Sequence, residues 1–331
     1  MKSSEQNLDG FLEVVGIFEL DDPFIAHYHG LMVKNNLSEY RYHLTKTFGP
    51  QNNRIDYAVD LGLDGGGKPY LHGYRATLFD THPIEHGVFG GIDTRELEER
   101  MKDKDWNNSL PELPGVFRDI VQLSLCGREK AVDIAERLEA RYWLGTPVEI
   151  HLNIGRLREK FAKEHYFQAA FAPSNITAKK AYNLLSGRFI VRYEDTRPGY
   201  YKATWVGLKQ VDGAASAKSF EEAVYPDFEY GVQLRQLGVL EMATREKGYP
   251  LIGCLMDGDL VPANIITGEH VRPVWLSVDP GKRRVVVHGE DLRELDISAA
   301  TPEQDSTEIR EDKLSEALGA KKGKRKGKSI N

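Results

Sequence analysis

His82-Pro83-Ile84-Glu85-His86 comes nearer than any other stretch of this chain to a catalytic motif. The order His, two residues, Glu, His is the inverted form of a zinc-hydrolase helix. There the two imidazoles hold the ion and the carboxylate acts on a metal-bound water. That chemistry requires both imidazoles on one helical face. Gly87, Gly90 and Gly91 crowd the turn where such a helix would continue, and no third ligand is in view. The stretch therefore reads as a solvated loop. His27 and His29, with His43 further on, form a second candidate, because alternate residues of a strand share a face. Half-buried histidines in an aromatic-rich segment account for them more simply. A metal-assisted hydrolase using His27, His29, His82 or His86 stands as the enzymatic alternative. Cys126 and Cys254 have neither a zinc spacing nor a Cys–His nucleophile pattern. They read as buried thiols of a reducing compartment.

Gly62-Leu63-Asp64-Gly65-Gly66-Gly67-Lys68-Pro69 nearly spells a phosphate-binding loop. Such a loop needs a hydroxyl after the lysine to hold magnesium, and a helix whose first N–H groups face the phosphates. Pro69 has no hydroxyl, and a strand pattern follows, so the glycines read as a hairpin turn. No cofactor is expected from these patterns. Tyr74, Arg75, Tyr201, Lys202 and Trp205 combine aromatic and basic character in strands, which suits a stacking platform for single-stranded nucleic acid. Strand alternation sends half of such residues into the core. The clearest candidate for nucleic-acid contact is the C-terminal run Lys321, Lys322, Lys324, Arg325, Lys326 and Lys328.

The elements that would position these groups can be read in turn. Tyr57–Leu61 and Tyr70–Phe79 flank the glycine-rich turn as a β-hairpin. Asp93-Thr94-Arg95-Glu96 is a capping box opening a short helix through Leu97 and Met101. Helices are expected after Pro114-Gly115 and over 128–142, where Ala131, Ile134, Ala135, Leu138 and Tyr142 recur at helical spacing. A short helix marked by Leu152, Ile154, Leu157 and Phe161 then leads to a strand at 166–171. Thr177 suits the N-cap of a helix carrying Ala181, Leu184 and Leu185, which Gly187 ends in the left-handed conformation. Strands are expected at 189–193 and 200–208, and a helix from Val232 to Lys247. Val274–Val278 and Arg283–His288 form a hairpin around Asp279-Pro280-Gly281-Lys282, a type II turn with Gly281 left-handed.

Tyr74-Arg75-Ala76-Thr77 and Tyr201-Lys202-Ala203-Thr204 share one pattern, which suggests an internal duplication. The expected fold is α+β: two related units, at 1–145 and 146–297, each packing helices on a small, largely antiparallel sheet. Residues 298–331 form a charged tail expected to be mostly disordered.

The totals agree with a two-domain globular protein. The chain has 331 residues, 40% apolar and 28% charged, beyond the size at which single cores usually stop growing. No run approaches the ~18 apolar residues that span a bilayer, and Met1–Gly10 lacks the basic and apolar regions of a secretory signal. A cytoplasmic setting without membrane contact follows as the expectation. The net charge is −6, and the six basic tail residues leave about −12 on the rest. So acidic a body repels a phosphate backbone, so the tail is the nucleic-acid candidate.

Ile176-Thr177-Ala178-Lys179-Lys180-Ala181-Tyr182-Asn183-Leu184-Leu185-Ser186-Gly187-Arg188 carries a resemblance. With Tyr201–Val206, Tyr230-Gly231-Val232 and the upstream Tyr74-Arg75-Ala76-Thr77-Leu78, it resembles an uncharacterised domain family of bacterial conjugative and integrative elements. The likeness is closest over 166–240. It implies an accessory role in a mobile element and assigns no catalytic residue. The expectation is thus a non-enzymatic binding or adaptor protein, meeting protein with its body and nucleic acid with its tail. A small-ligand-binding defence or counter-defence factor is a further alternative.

Overall fold

The computed structural model describes residues 30–31, 34, 37, 39–51, 53–63, 69–102, 104–108, 113–168, 176–197, 200–211, 220–268 and 270–296. Its contacts divide the chain into two compact units that meet between Tyr225 and Pro226. Both are α+β, and their sheets are small and antiparallel.

The first unit is organised around a four-stranded sheet in the order β1-β2-β3-β6. Its strands are β1 (Glu39–Phe48), β2 (Asn53–Leu63), β3 (Pro69–Phe79) and β6 (Ala162–Gln168). Two-residue periodicity puts Ile55, Tyr57, Val59 and Leu61 on one face of β2, all nearly inaccessible. Tyr74, Ala76 and Leu78 of β3 and Phe167 of β6 join them in one core. Helix α5 (Ala178–Leu185) lies on this face. Its start is fixed by the Thr177 side chain, which accepts from Lys180 N, and Tyr57 OH donates to the Ala178 carbonyl at 2.8 Å. Gly187 follows at φ 79°, as expected of a helix end. A second sheet, β7 (Ile190–Arg197), β8 (Tyr200–Gln210) and β9 (Phe220–Tyr225), adds Ile190 and Val206 to the same core.

Between β3 and β6 the chain inserts a small hairpin and four helices. Strands β4 (Val88–Phe89) and β5 (Ile92–Asp93) lead into α1 (Thr94–Lys102). The Asp93 carboxylate accepts from Arg95 N at 2.8 Å and Glu96 N at 3.3 Å, which is the cap the sequence announces. Helices α2 (Leu113–Leu125) and α3 (Glu129–Tyr142) follow, joined at Gly127, with φ 70°. The three helices enclose Leu97, Met101, Ile120, Leu123, Ile134 and Trp143. Helix α4 (Ile154–Phe161) seats Leu157 and Phe161 with Ala140, Leu144 and Phe79, joining the helical layer to one end of the sheet.

The second unit holds α6 (Tyr230–Gln236), a 3-10 turn (Leu240–Ala243), α7 (Arg245–Met256) and the sheet β10-β11-β12. Its strands are Val261–Thr267, His270–Asp279 and Arg284–His288. Val274, Leu276 and Val278 of β11 are buried with Val285 and Val287 of β12, Val261, Ala263 and Ile265 of β10, and Leu251 and Leu255 of α7.

Several expectations change. β6 pairs with β3 in a full antiparallel register, Arg75 opposite Tyr166, so a boundary after 145 would cut through one sheet. The paired Tyr-basic-Ala-Thr strands are not equivalent: Ala76 is fully buried while Ala203 is exposed. The helix expected over 232–247 is broken by Gly238 at φ 69°. The β11–β12 turn is not type II, because its left-handed residue is Arg283 at φ 53° and not Gly281. Asp279 Oδ1 accepts from Lys282 N at 3.0 Å, and Arg283 N donates to the Pro280 carbonyl. A longer connection with one left-handed residue before the returning strand gives the same reversal.

Candidate docking face and the histidine strap

The sheet β1-β2-β3-β6 has two different faces. The second carries Arg41 and His43 from β1, Ala58 and Asp60 from β2, Arg75 from β3, and Tyr166 from β6. The helical layer covers this face only at the end marked by Phe79 and Ala162. Further along, Tyr70 and Tyr166 are 41% and 39% exposed, and the Arg41 and Arg75 side chains 55% and 47%. Two glycines make the floor. A Cβ on Gly73 would lie 2.7 Å from Tyr166 Oη, so the phenol ring sits over this residue. A Cβ on Gly62 would meet the His72 ring, which lies 4.5 Å from the Tyr70 ring centroid.

The charges of this face are matched one by one. Arg41 Nε donates to Asp60 Oδ1 at 2.6 Å, Arg54 Nε to Asp56 Oδ1 at 2.9 Å, and Arg75 Nη1 to Glu164 Oε1 at 2.6 Å. Asp60 also takes the Tyr166 hydroxyl. Partial burial and then the Asp60 charge push the Tyr166 phenol above its ordinary range. The result is an aromatic strip of two exposed tyrosines, Tyr70 and Tyr166, and the half-buried His72, rimmed by guanidinium–carboxylate pairs without excess positive charge.

The stacking platform read from the sequence is corrected accordingly. Tyr74 and Trp205 are core residues, 2% and 1% exposed, and Tyr74 OH donates to the Ile176 carbonyl at 2.5 Å. Of that set, Arg75 lies on the open face and Lys202 is exposed elsewhere, on β8. Tyr166 was missed because the strand that carries it pairs with a partner distant in sequence.

The histidine pentapeptide is a strap, not a solvated loop. The strap runs from Asp80 to Gly87 around it, and its side chains are fastened to the helices. His86 Nε2 lies 2.9 Å from Glu98 Oε2, and its Nδ1 lies 3.2 Å from Thr94 Oγ1. Glu98 Oε1 accepts from Arg141 Nη1 and from Tyr142 OH, both at 2.9 Å. Gly87 and Thr94 exchange backbone and hydroxyl hydrogen bonds at 3.0–3.1 Å. Lys130 Nζ reaches Glu85 at 3.0 Å. His82 lies against the Gln51 backbone, whose carbonyl also accepts from Arg141 Nη2 at 3.0 Å. Burial, and then the Arg141 charge, lower His82 from its ordinary value to about 4, while Glu98 and Asp80 oppose the shift. Its Nε2 is buried without a hydrogen-bond partner among the described residues.

His86 thus faces protein groups through both ring nitrogens, and His82 through one. Among the described residues, no group of three or more His, Cys, Asp or Glu side chains is placed to hold a metal ion. His43 is exposed on β1, away from the strap's helices. His27, His29, Lys68 and the six tail residues from Lys321 to Lys328 lie outside the described residues. Cys126 and Cys254 are half-buried.

Three further arrangements escaped sequence reasoning. Ser277 Oγ and His288 Nε2 are 2.8 Å apart, but Ser277 is only 9% exposed and offers a substrate no approach. The pair crosses a hairpin and pins it. Glu139 of α3 is raised to about 7 by burial and then by the nearby Glu136 charge, with Arg156 opposing. Glu136 holds Arg156 Nε at 2.5 Å and Lys160 Nζ at 2.7 Å, so this cluster belongs to the α3–α4 seam. An open hollow of about 390 Å³ follows residues 227–232 and Arg235.

No family model matches the chain, and no curated protein or solved structure is similar to it. The likeness to the mobile-element domain family therefore stands on the quoted residues alone.

Proposed function

We propose that this chain is a non-enzymatic binding or adaptor protein. The exposed half of its four-stranded sheet meets a protein partner, and Lys321, Lys322, Lys324, Arg325, Lys326 and Lys328 contact nucleic acid. One observation carries the first part: Tyr70 and Tyr166 stand exposed, with Arg41 and Arg75, on one open sheet face. Tyr and Arg are enriched at protein interfaces, Tyr because its rigid ring buries large area at small entropic loss and Arg because its planar fork of donors matches carboxylates. A phosphate backbone is the poorer occupant, since each arginine already faces a carboxylate at 2.6–2.9 Å and no charge is left to release counterions. A matched rim of donors and acceptors favours a protein surface of mixed charge. The resemblance adds a bacterial cytoplasmic setting and an accessory role in a mobile element.

The metal-assisted hydrolase reading draws no support from His82 and His86, whose rings face Gln51, Arg141, Glu98 and Thr94. The small-ligand reading has only the open hollow beside α6.

Fluorescence anisotropy with a single-stranded 20-mer separates the two proposed surfaces. The full chain is expected to bind with a salt slope no steeper than about −4 to −5, the limit for six phosphate contacts on a single strand. A chain ending at residue 319 should lose that binding, while Tyr166→Ala and Arg75→Ala should leave it unchanged. Undiminished binding by the shortened chain rules the tail out. Loss of binding in Tyr166→Ala would make the sheet face a nucleic-acid surface.

A further inference from the structure

We propose that the segment from Asp80 to Gly87 is an acid-released strap, whose hold on helices α1 and α3 depends on His82 being neutral. The segment shields apolar surface. Ile84, with Phe89 and Ile92 just beyond the strap, packs against the core of Leu97, Met101 and Ile120. Its attachments are polar: His86 lies against Glu98, Gly87 bonds to Thr94, and Glu85 holds Lys130, while Glu98 also accepts from Arg141 and Tyr142. Glu98 is therefore fully engaged before His82 is considered.

His82 faces charged or titratable groups from each element around it. Arg141 approaches from α3, Glu98 from α1, Asp80 from its own segment, and the Gln51 carbonyl from the β1–β2 turn. Asp80 is held by Lys163 Nζ of β6 at 2.6 Å. Arg141 is anchored by both Glu98 and Gln51, and it cannot retreat without breaking two hydrogen bonds. A proton on His82 sets a second cation beside this guanidinium and a second N–H on a ring whose Nε2 is buried without an acceptor among the described residues. With both carboxylates already engaged, the second cation is relieved by swinging the strap out into solvent.

The sign follows by linkage. A histidine titrating near 6.5 in the released strap and near 4 in the closed one adds stability to the closed state above pH 6.5. That contribution is lost as the pH falls from 6.5 toward 4. With these two values, the opening equilibrium rises about twenty-fold between pH 7 and pH 5.

Backbone amide exchange of the full chain, read by mass spectrometry and corrected for intrinsic rates, measures this directly. Peptides spanning residues 81–92 are expected to open about twenty-fold more at pH 5 than at pH 7, while peptides of β2 and β3 stay unchanged. His82→Asn keeps a side-chain donor for Gln51 and takes up no proton, so its exchange should lose this pH dependence. An equal rise across the whole chain would mean global unfolding and overturn the strap, as would the same slope in His82→Asn. Should that variant not fold, NMR titration of His82 in the natural chain decides. A ring midpoint near 4 supports the proposal, and one at 6 or above overturns it.

Discussion

Arg283 shows what a single backbone angle can decide. It is exposed and sits at φ 53°, where a side chain other than glycine costs about 1 kcal/mol. Its contribution to the hairpin comes from the backbone, whose carbonyl accepts from Gln233 Nε2 at 2.9 Å. Arg283→Gly relieves this strain but frees the unfolded chain, so it should raise stability by about 0.5 kcal/mol or less in urea titration, without moving the β11–β12 register. A fall in stability would refute this account of the turn. Glu139 gives a second prediction, opposite in sign to His82. Its carboxyl is raised to about 7, so its contribution is fully present below pH 4.5 and is lost as the pH climbs through 7. Glu139→Gln should flatten that part of the stability–pH curve and be the more stable form at pH 8. Partial exposure limits the gain to roughly 1–2 kcal/mol. Thermal melts at pH 5 and pH 8 check both statements. Residue-level chemistry was the least legible part of the sequence. The partners of His82 and His86 are Glu98, Arg141 and Gln51, and only folding brings them together. Spacing within His82–His86 carried no trace of them.

Among elements, those with local punctuation were read well. Asp93 and Thr177 cap the helices they precede, Gly187 ends the second, and both hairpins form where glycine-rich turns announce them. Failures came where the deciding contact is distant. The strand expected at 166–171 is described over Ala162–Gln168, and its pairing with β3 crosses more than eighty residues. β1 alternates half-buried and exposed positions along its length, so no strongly apolar run betrays it. Which face of a strand is core is a tertiary fact, and for this reason Tyr74 and Trp205 looked available when Tyr166 was the exposed ring. Two glycine substitutions separate conformational from steric demands. A Cβ on Gly73 would stand 2.5 Å from the Phe167 backbone oxygen, which cannot move aside. Gly73→Ala should cost about 2 kcal/mol and displace Tyr166. Gly187→Ala meets no neighbour within 4 Å and carries only its φ of 79°, for a loss near 1 kcal/mol. Denaturant midpoints that rank these two in the reverse order would contradict the close approach of β3 and β6.

At the scale of the whole molecule, the α+β class and the small antiparallel sheets followed from composition and turn chemistry. The division between units did not, because β6 returns to a sheet begun more than a hundred residues earlier. No helix among the described residues is long and apolar enough to cross a membrane. The open half of the β1-β2-β3-β6 sheet is the protein-docking surface we propose. The most direct test replaces Tyr166 with a photo-crosslinking phenylalanine analogue in the full chain, irradiates the native host cells and identifies the adducts. One dominant protein adduct is expected, lost when Arg41 and Arg75 are changed to Ala. Adducts with nucleic acid, or none above those from an analogue placed at the exposed Lys202, would contradict it.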